Sequence, residues 1–133
     1  MRLLNPTAGE MCDRISILAL KIEAVVERPD AAVLTARFIE EQRALYSRMD
    51  VVTHEMKHDR CAILFELYGG LFAVNATIWG LVHRVREKRD AEAAVAATFA
   101  NDRRIEIIAR IDKVVHGDDY EMVQGTAYSR GKV

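Results

Sequence analysis

Met11, Ile15, Leu18, Ile22 and Val25 recur at spacings of four, three, four and three residues, which lays one apolar stripe along a helix. Just upstream, Thr7-Ala8-Gly9-Glu10 has the form of a capping box. In that motif the threonine hydroxyl serves the amide three residues on, and the glutamate reaches back to the threonine amide. Pro29 predicts a stop near Glu27, because the residue before a proline is steered away from helical geometry. Asp30 is then the expected cap of a second helix, with Val33, Leu34, Phe38, Leu45 and Met49 facing inward and Glu40, Glu41, Arg43 and Arg48 facing water. Its junction with the next helix falls between Asp50 and Asp59.

The most apolar stretch runs from Cys61 to Val82. Its length would cross a bilayer, but Glu66 and Asn75 lie inside it, and a carboxylate near a bilayer centre costs about 2.5–3.5 kcal/mol. The neighbouring amphipathic helices also need a partner for their apolar faces. A core helix buried on most sides is therefore expected, with no membrane span. Gly69-Gly70 would let a neighbour approach or would bend this helix. His83, Arg84, Arg86, Lys88 and Arg89 follow its apolar part; cations there complement the helix dipole, and a phosphate-binding patch is the sharper reading. Asp90 opens a last helix from Ala91 to about Val115, with Phe99, Ile105, Ile108, Ile111 and Val115 inward and Gly117 at its end. The prediction is an all-α antiparallel bundle of about four helices over residues 1–117, followed by an extended C-terminal tail over 118–133.

Composition fits one globular domain: 133 residues, half of them hydrophobic and 29% charged. A formal charge of -1 offers no field to recruit nucleic acid or an anionic membrane. Two cysteines, Cys12 and Cys61, with no C-x-x-C pairing, predict reduced thiols in a cytoplasmic protein, and the N-terminus has no sustained apolar run of the signal-peptide kind. No cofactor is expected. A bundle with a wide apolar face is expected to self-associate as a homo-oligomer.

Two sets of residues carry candidate chemistry. His54-Glu55-Met56-Lys57-His58 spells H-E-x-x-H, which on one helix would present two imidazoles to zinc. Charged Lys57, Asp59 and Arg60, and the nearby helix junction, favour a polar helix end instead, so no metal is assigned. The second set is polar residues that the helical pattern places in or beside the core: Glu10, Asp13, Arg14 and Lys21 on the first helix, Asn75 and Trp79 on the third, and Asn101, Asp102 and Arg104 on the fourth, with Arg86 beyond the apolar run. Buried polar groups need partners. Either they bond one another and fix helix register, or they line a pocket in which Lys21, Arg86 and Arg104 meet a small anionic ligand and Trp79 stacks on a ring. A metal-dependent hydrolase using Glu10, Asp13 and Asp102 is a further alternative, although Glu10-x-x-Asp13 has no matching second acidic pair.

Thr7-Ala8-Gly9-Glu10-Met11-Cys12-Asp13-Arg14-Ile15-Ser16-Ile17 with Lys21-Ile22 resembles the opening of small bacterial and phage proteins of unknown function, the DUF6165 type. Val74-Asn75, Ile78-Trp79, Arg86 and Asn101-Asp102-Arg103-Arg104 are similar to the related DUF4254 type. The resemblance implies a helical fold and a shared set of polar positions, in proteins of bacterial surface-polysaccharide or phage settings, and implies no reaction. Where the family pattern has an acidic pair after the tryptophan, this chain has Val82 and His83, and of the lysine and tyrosine near the C-terminus only Tyr128 is met.

Overall fold

In a computed structural model the chain is described over residues 5–117. Four helices run up and down: α1 (Ala8–Ala24), α2 (Ala31–Thr53), α3 (His58–Lys88) and α4 (Ala91–His116), with no strand among the described residues. The fold is an all-α antiparallel bundle. The expected tail, 118–133, lies outside the described residues.

Helix ends follow local chemistry. Thr7 caps α1, and both bonds of the capping box form: Glu10 N–H donates to Thr7 Oγ1 at 3.2 Å and Thr7 N–H donates to the Glu10 carboxylate at 3.0 Å. Asp90 caps α4 by accepting from the Ala93 amide at 3.0 Å. That bond, followed by the ion pair with Arg84, holds the Asp90 carboxyl below the usual carboxylate range. Gly117 ends α4 with φ +61°, a conformation that suits glycine. Asp30 departs from expectation: its side chain makes no cap bond to α2, and its carboxylate pairs with the Arg28 guanidinium at 2.9 Å instead.

The central helix is α1, which corrects the expectation that the bundle wraps around Cys61–Val82. Nine of the seventeen α1 residues are buried, from Ala8 to Leu20, whereas only Leu71 and Asn75 are buried on α3. A helix buried nearly all round is one enclosed by neighbours. α1 touches all three others: Arg14 and Ile15 meet α2, Gly9 and Asp13 meet α4, and Asp13 and Ser16 meet Asn75 of α3. Met11, Leu18, Leu71 and Ile111 are fully enclosed, each contributing about 1.5–3 kcal/mol of burial. Val33 and Phe99, expected inward, are 70% and 69% exposed. α3 is also the one helix among those described that is apolar and long enough to cross a membrane by length and composition, with mean hydropathy 1.6 over its most apolar window. Gly69 and Gly70 do not interrupt it.

A close approach at one end locks α1 to α4. A β-carbon on Gly9 would lie 2.4 Å from the Ile108 carbonyl oxygen. The Gly9 amide donates to Asp112 Oδ1 at 2.6 Å and the Ala8 amide donates to His116 Nε2 at 3.2 Å. Asp112, fully buried, thus sets its carboxylate against the positive end of the α1 dipole.

The two thiols differ sharply. Burial, then the nearby Asp112 and Asp13 carboxylates, pushes the Cys12 thiol up to about 12, while Cys61 is exposed. At mildly alkaline pH, iodoacetamide is expected to alkylate Cys61 within minutes and Cys12 only after unfolding, as peptide mass mapping would report. Since an unfolded thiol ionises near ~8.5, the unfolded chain releases this proton first. Stability is expected to fall as pH rises from there toward the folded value.

Candidate functional site: a polar clamp beneath an interhelical cleft

Asp13 is the hub of the buried polar set. Its two carboxylate oxygens accept a fork of bonds from Arg104 of α4, Nε to Oδ1 at 2.8 Å and a second from the terminal NH2 to Oδ2. Asn75 of α3 donates to the same Oδ1 at 2.9 Å and to Ser16 Oγ at 2.7 Å. Ser16 in turn donates to the Asp13 carbonyl at 2.8 Å, and Arg104 donates a further bond to Asn101 Oδ1 at 3.0 Å. Bonding to Asp13 raises the already high Arg104 pKa against the opposing effect of burial. Three helices therefore converge on one carboxylate. The fork is a bidentate arginine–carboxylate pair, the strong geometry for such contacts.

This hub orients Asn75. A carboxylate only accepts, so the Asn75 group facing Asp13 is its NH2. The Asn75 carbonyl oxygen is left without a partner among the described residues, although the residue is only 5% exposed. Asn75 also lines a cleft of about 460 Å³ between α1, α3 and α4.

The cleft is built from three helical stripes. Asn75, Trp79, Val82 and Arg86 on α3 follow spacings of four, three and four; Ile17, Leu20 and Ala24 on α1 follow three and four; Asn101 and Arg104 on α4 are three apart. Ile78 and His83 complete the lining. α1 stops at Ala24 while α3 continues to Lys88. Trp79 is 39% exposed, the Arg86 guanidinium has no partner among the described residues, and His83 pairs with Glu87 at 3.1 Å. The result is an apolar wall with an indole, a cation at its rim and amides at its floor. Such a cleft has the size and mixed lining of small-molecule sites.

Of the ten residues expected at a ligand site, the structure brings Asn75, Trp79, Arg86, Asn101 and Arg104 together around the cleft, with Asp13 directly beneath. Four lie elsewhere. Glu10 is taken up in the capping box. Arg14 pairs with Glu41 of α2 at 2.9 Å. Lys21 sits over the Phe38 ring of α2, 5.7 Å from its centre, and does not line the cleft. Asp102 is exposed and does not line it either. Each helical pattern placed its residue near the core but left open which neighbour it would face. His54 and His58 fall on opposite sides of the α2–α3 joint, both exposed, so they do not share the helix face that zinc ligation through H-E-x-x-H requires. Among the described residues no three His, Cys, Asp or Glu side chains gather as a metal site.

Asp112 and His116 escaped sequence reasoning. They follow Ile108 and Ile111 on the inward stripe of α4, and a carboxylate on such a stripe is the available signal. A second, smaller groove of about 240 Å³ lies between α1, α2 and α3, lined by Cys12, Tyr46, Cys61, Phe65 and Tyr68 among others. Its lining is almost wholly apolar; burial, chiefly, pushes the Tyr68 hydroxyl up to about 12. No family model, curated protein or solved structure matches the chain.

Proposed function

We propose that the protein binds a small anionic molecule carrying a planar ring, of the nucleotide or nucleotide-sugar class, in the α1–α3–α4 cleft. The observation that carries this reading is Asn75. Its NH2 is held by Asp13 and Ser16, so its buried carbonyl oxygen remains as an acceptor for a ligand N–H at the cleft floor. Leaving such a group unmet costs about 1–3 kcal/mol, a penalty that a ligand donor removes. Trp79 offers a flat wall for a base and Arg86 a planar cation for phosphate at the rim. The Asn101 NH2, whose carbonyl is engaged by Arg104, supplies a further donor. Arg104 itself is neutralised by Asp13 and serves chiefly to hold the floor.

Calorimetric titration with adenosine and uridine diphosphates, a uridine diphosphate sugar and the free nucleosides tests this. Binding is expected for at least one diphosphate, weakened about 10- to 100-fold by Arg86→Ala, as expected for a lost charged hydrogen bond. Trp79→Ala is expected to weaken it about 3- to 10-fold, from lost stacking. The Arg86 side chain is exposed and unpartnered among the described residues, so the melting temperature of Arg86→Ala should change little. Absence of heat with every probe, or binding indifferent to both substitutions, would remove the cleft from consideration.

A further inference from the structure

We infer that the solvent face of α3 is a docking surface for a second copy of this chain, paired antiparallel across a two-fold axis. Ala62, Glu66, Gly69, Ala73, Thr77, Gly80 and Arg84 recur at helical spacing and are all exposed. They form the side of α3 turned away from both the cleft and α4. From Ala62 to Val82 the one charged residue is Glu66, and Ile63 and Phe65 are exposed as well. A helix face left to water is normally covered with charged side chains. Here, a β-carbon added at Gly69 or Gly80 would meet nothing within 4 Å, so these glycines serve no contact inside the chain. Small residues along one face let another helix approach closely.

Charge selects the occupant. Glu66 and Arg84 are eighteen residues apart, five full helical turns at 3.6 residues per turn, so they share one azimuth. Each lies nine residues from Asn75. A two-fold axis at that level sets Glu66 of either copy opposite Arg84 of the other, with Ala73 opposite Thr77. One patch is thus complementary to itself, as a two-fold interface requires. Glu66 has no partner within the described chain, and Arg84, bonded to Asp90 through one nitrogen at 2.9 Å, keeps further donors. A lipid surface fits less well: the open face is made of Gly, Ala and Thr, and Arg103, Glu106 and Arg110 on the adjoining α4 are exposed. This inference is independent of the cleft, whose residues lie on another side of α3.

Sedimentation equilibrium at low salt tests it, with circular dichroism to verify folding of each variant. The expected species has twice the 15.0 kDa chain mass. Glu66→Arg and Arg84→Glu should each raise the dimer dissociation constant at least about tenfold through facing like charges, and the two together should restore association to within about threefold of the original. Ala73→Arg should give a folded monomer. A wild-type monomer, single reversals without effect, a double reversal that fails to restore the dimer, or a monomer that instead co-sediments with neutral phosphatidylcholine vesicles would each overturn the assignment.

Discussion

Asp13→Ala is expected to destabilise the fold by about 3–5 kcal/mol, the cost of stranding a partly buried guanidinium. The Asp13 side chain is 11% exposed and that of Arg104 29%, so neither charge is fully hydrated. The substitution removes the fork from Arg104 and one bond from Asn75 together. Against a total stability of about 5–15 kcal/mol, such a loss is a large fraction. Urea denaturation should show the midpoint falling with little change in slope. Asp13→Leu combined with Arg104→Met should recover much of the loss, because a matched apolar pair strands no charge. An Asp13→Ala protein as stable as the original would mean that the clamp adds nothing to holding the three helices together.

Gly9→Ala is the second large effect, expected to cost about 3 kcal/mol. The sign is informative, since alanine ordinarily stabilises a helix interior over glycine by about 0.5–1 kcal/mol. Here the new carbon would lie 2.4 Å from the Ile108 carbonyl oxygen, 2.8 Å from Ile108 Cγ2 and 2.9 Å from Asp112 Oδ1. Two of these atoms sit on or near the α4 backbone and cannot turn aside. α1 and α4 must separate, which strains the core and stretches the 2.6 Å bond from Gly9 N–H to Asp112. Gly70→Ala is the control: its added carbon meets only Ile107 Cδ1 at 3.9 Å. Thermal melts of the two variants should move in opposite directions.

These two positions also show what a reader of the sequence can and cannot see. The capping box at Thr7–Glu10, the Asp90 cap and Gly117 were legible because each depends on residues within four positions of one another. The cleft stripe on α3 was legible for the same reason, since Asn75, Trp79, Val82 and Arg86 share a face by spacing alone. Which helix becomes the centre was not. Hydropathy says how much surface must be covered, and the one long apolar window among the described helices lies on α3; coverage depends on how many neighbours a helix meets. α1, the shortest helix, meets all three others. Lys21 illustrates the same limit. Its place on the flank of α1 is set by helical period, but only the packed position of α2 puts Phe38 beneath it. Gly9 was read as part of a cap; its role as the contact point for α4 needs coordinates.

The polar layer has two parts. Its lower part, Asp13 with Ser16 and Arg104, clamps three helices. Its upper part, Asn75 and Asn101 with Trp79 and Arg86, lines the cleft. Substitutions should separate these roles: clamp variants lose stability, and Arg86→Ala loses binding while keeping its melting temperature.

The most direct measurement is a proton–nitrogen correlation spectrum of the labelled protein titrated with a nucleoside diphosphate. The chain has one tryptophan, so the indole N–H signal reports Trp79 without ambiguity. The predicted result is a saturable shift of that signal together with the side-chain amide signals of Asn75 and Asn101. The amide of Gln42, bonded to Ile15 on the α1–α2 seam outside the cleft, should stay in place. Indole and asparagine signals that do not move, or that move no more than Gln42, would contradict the assignment of the cleft as a ligand site.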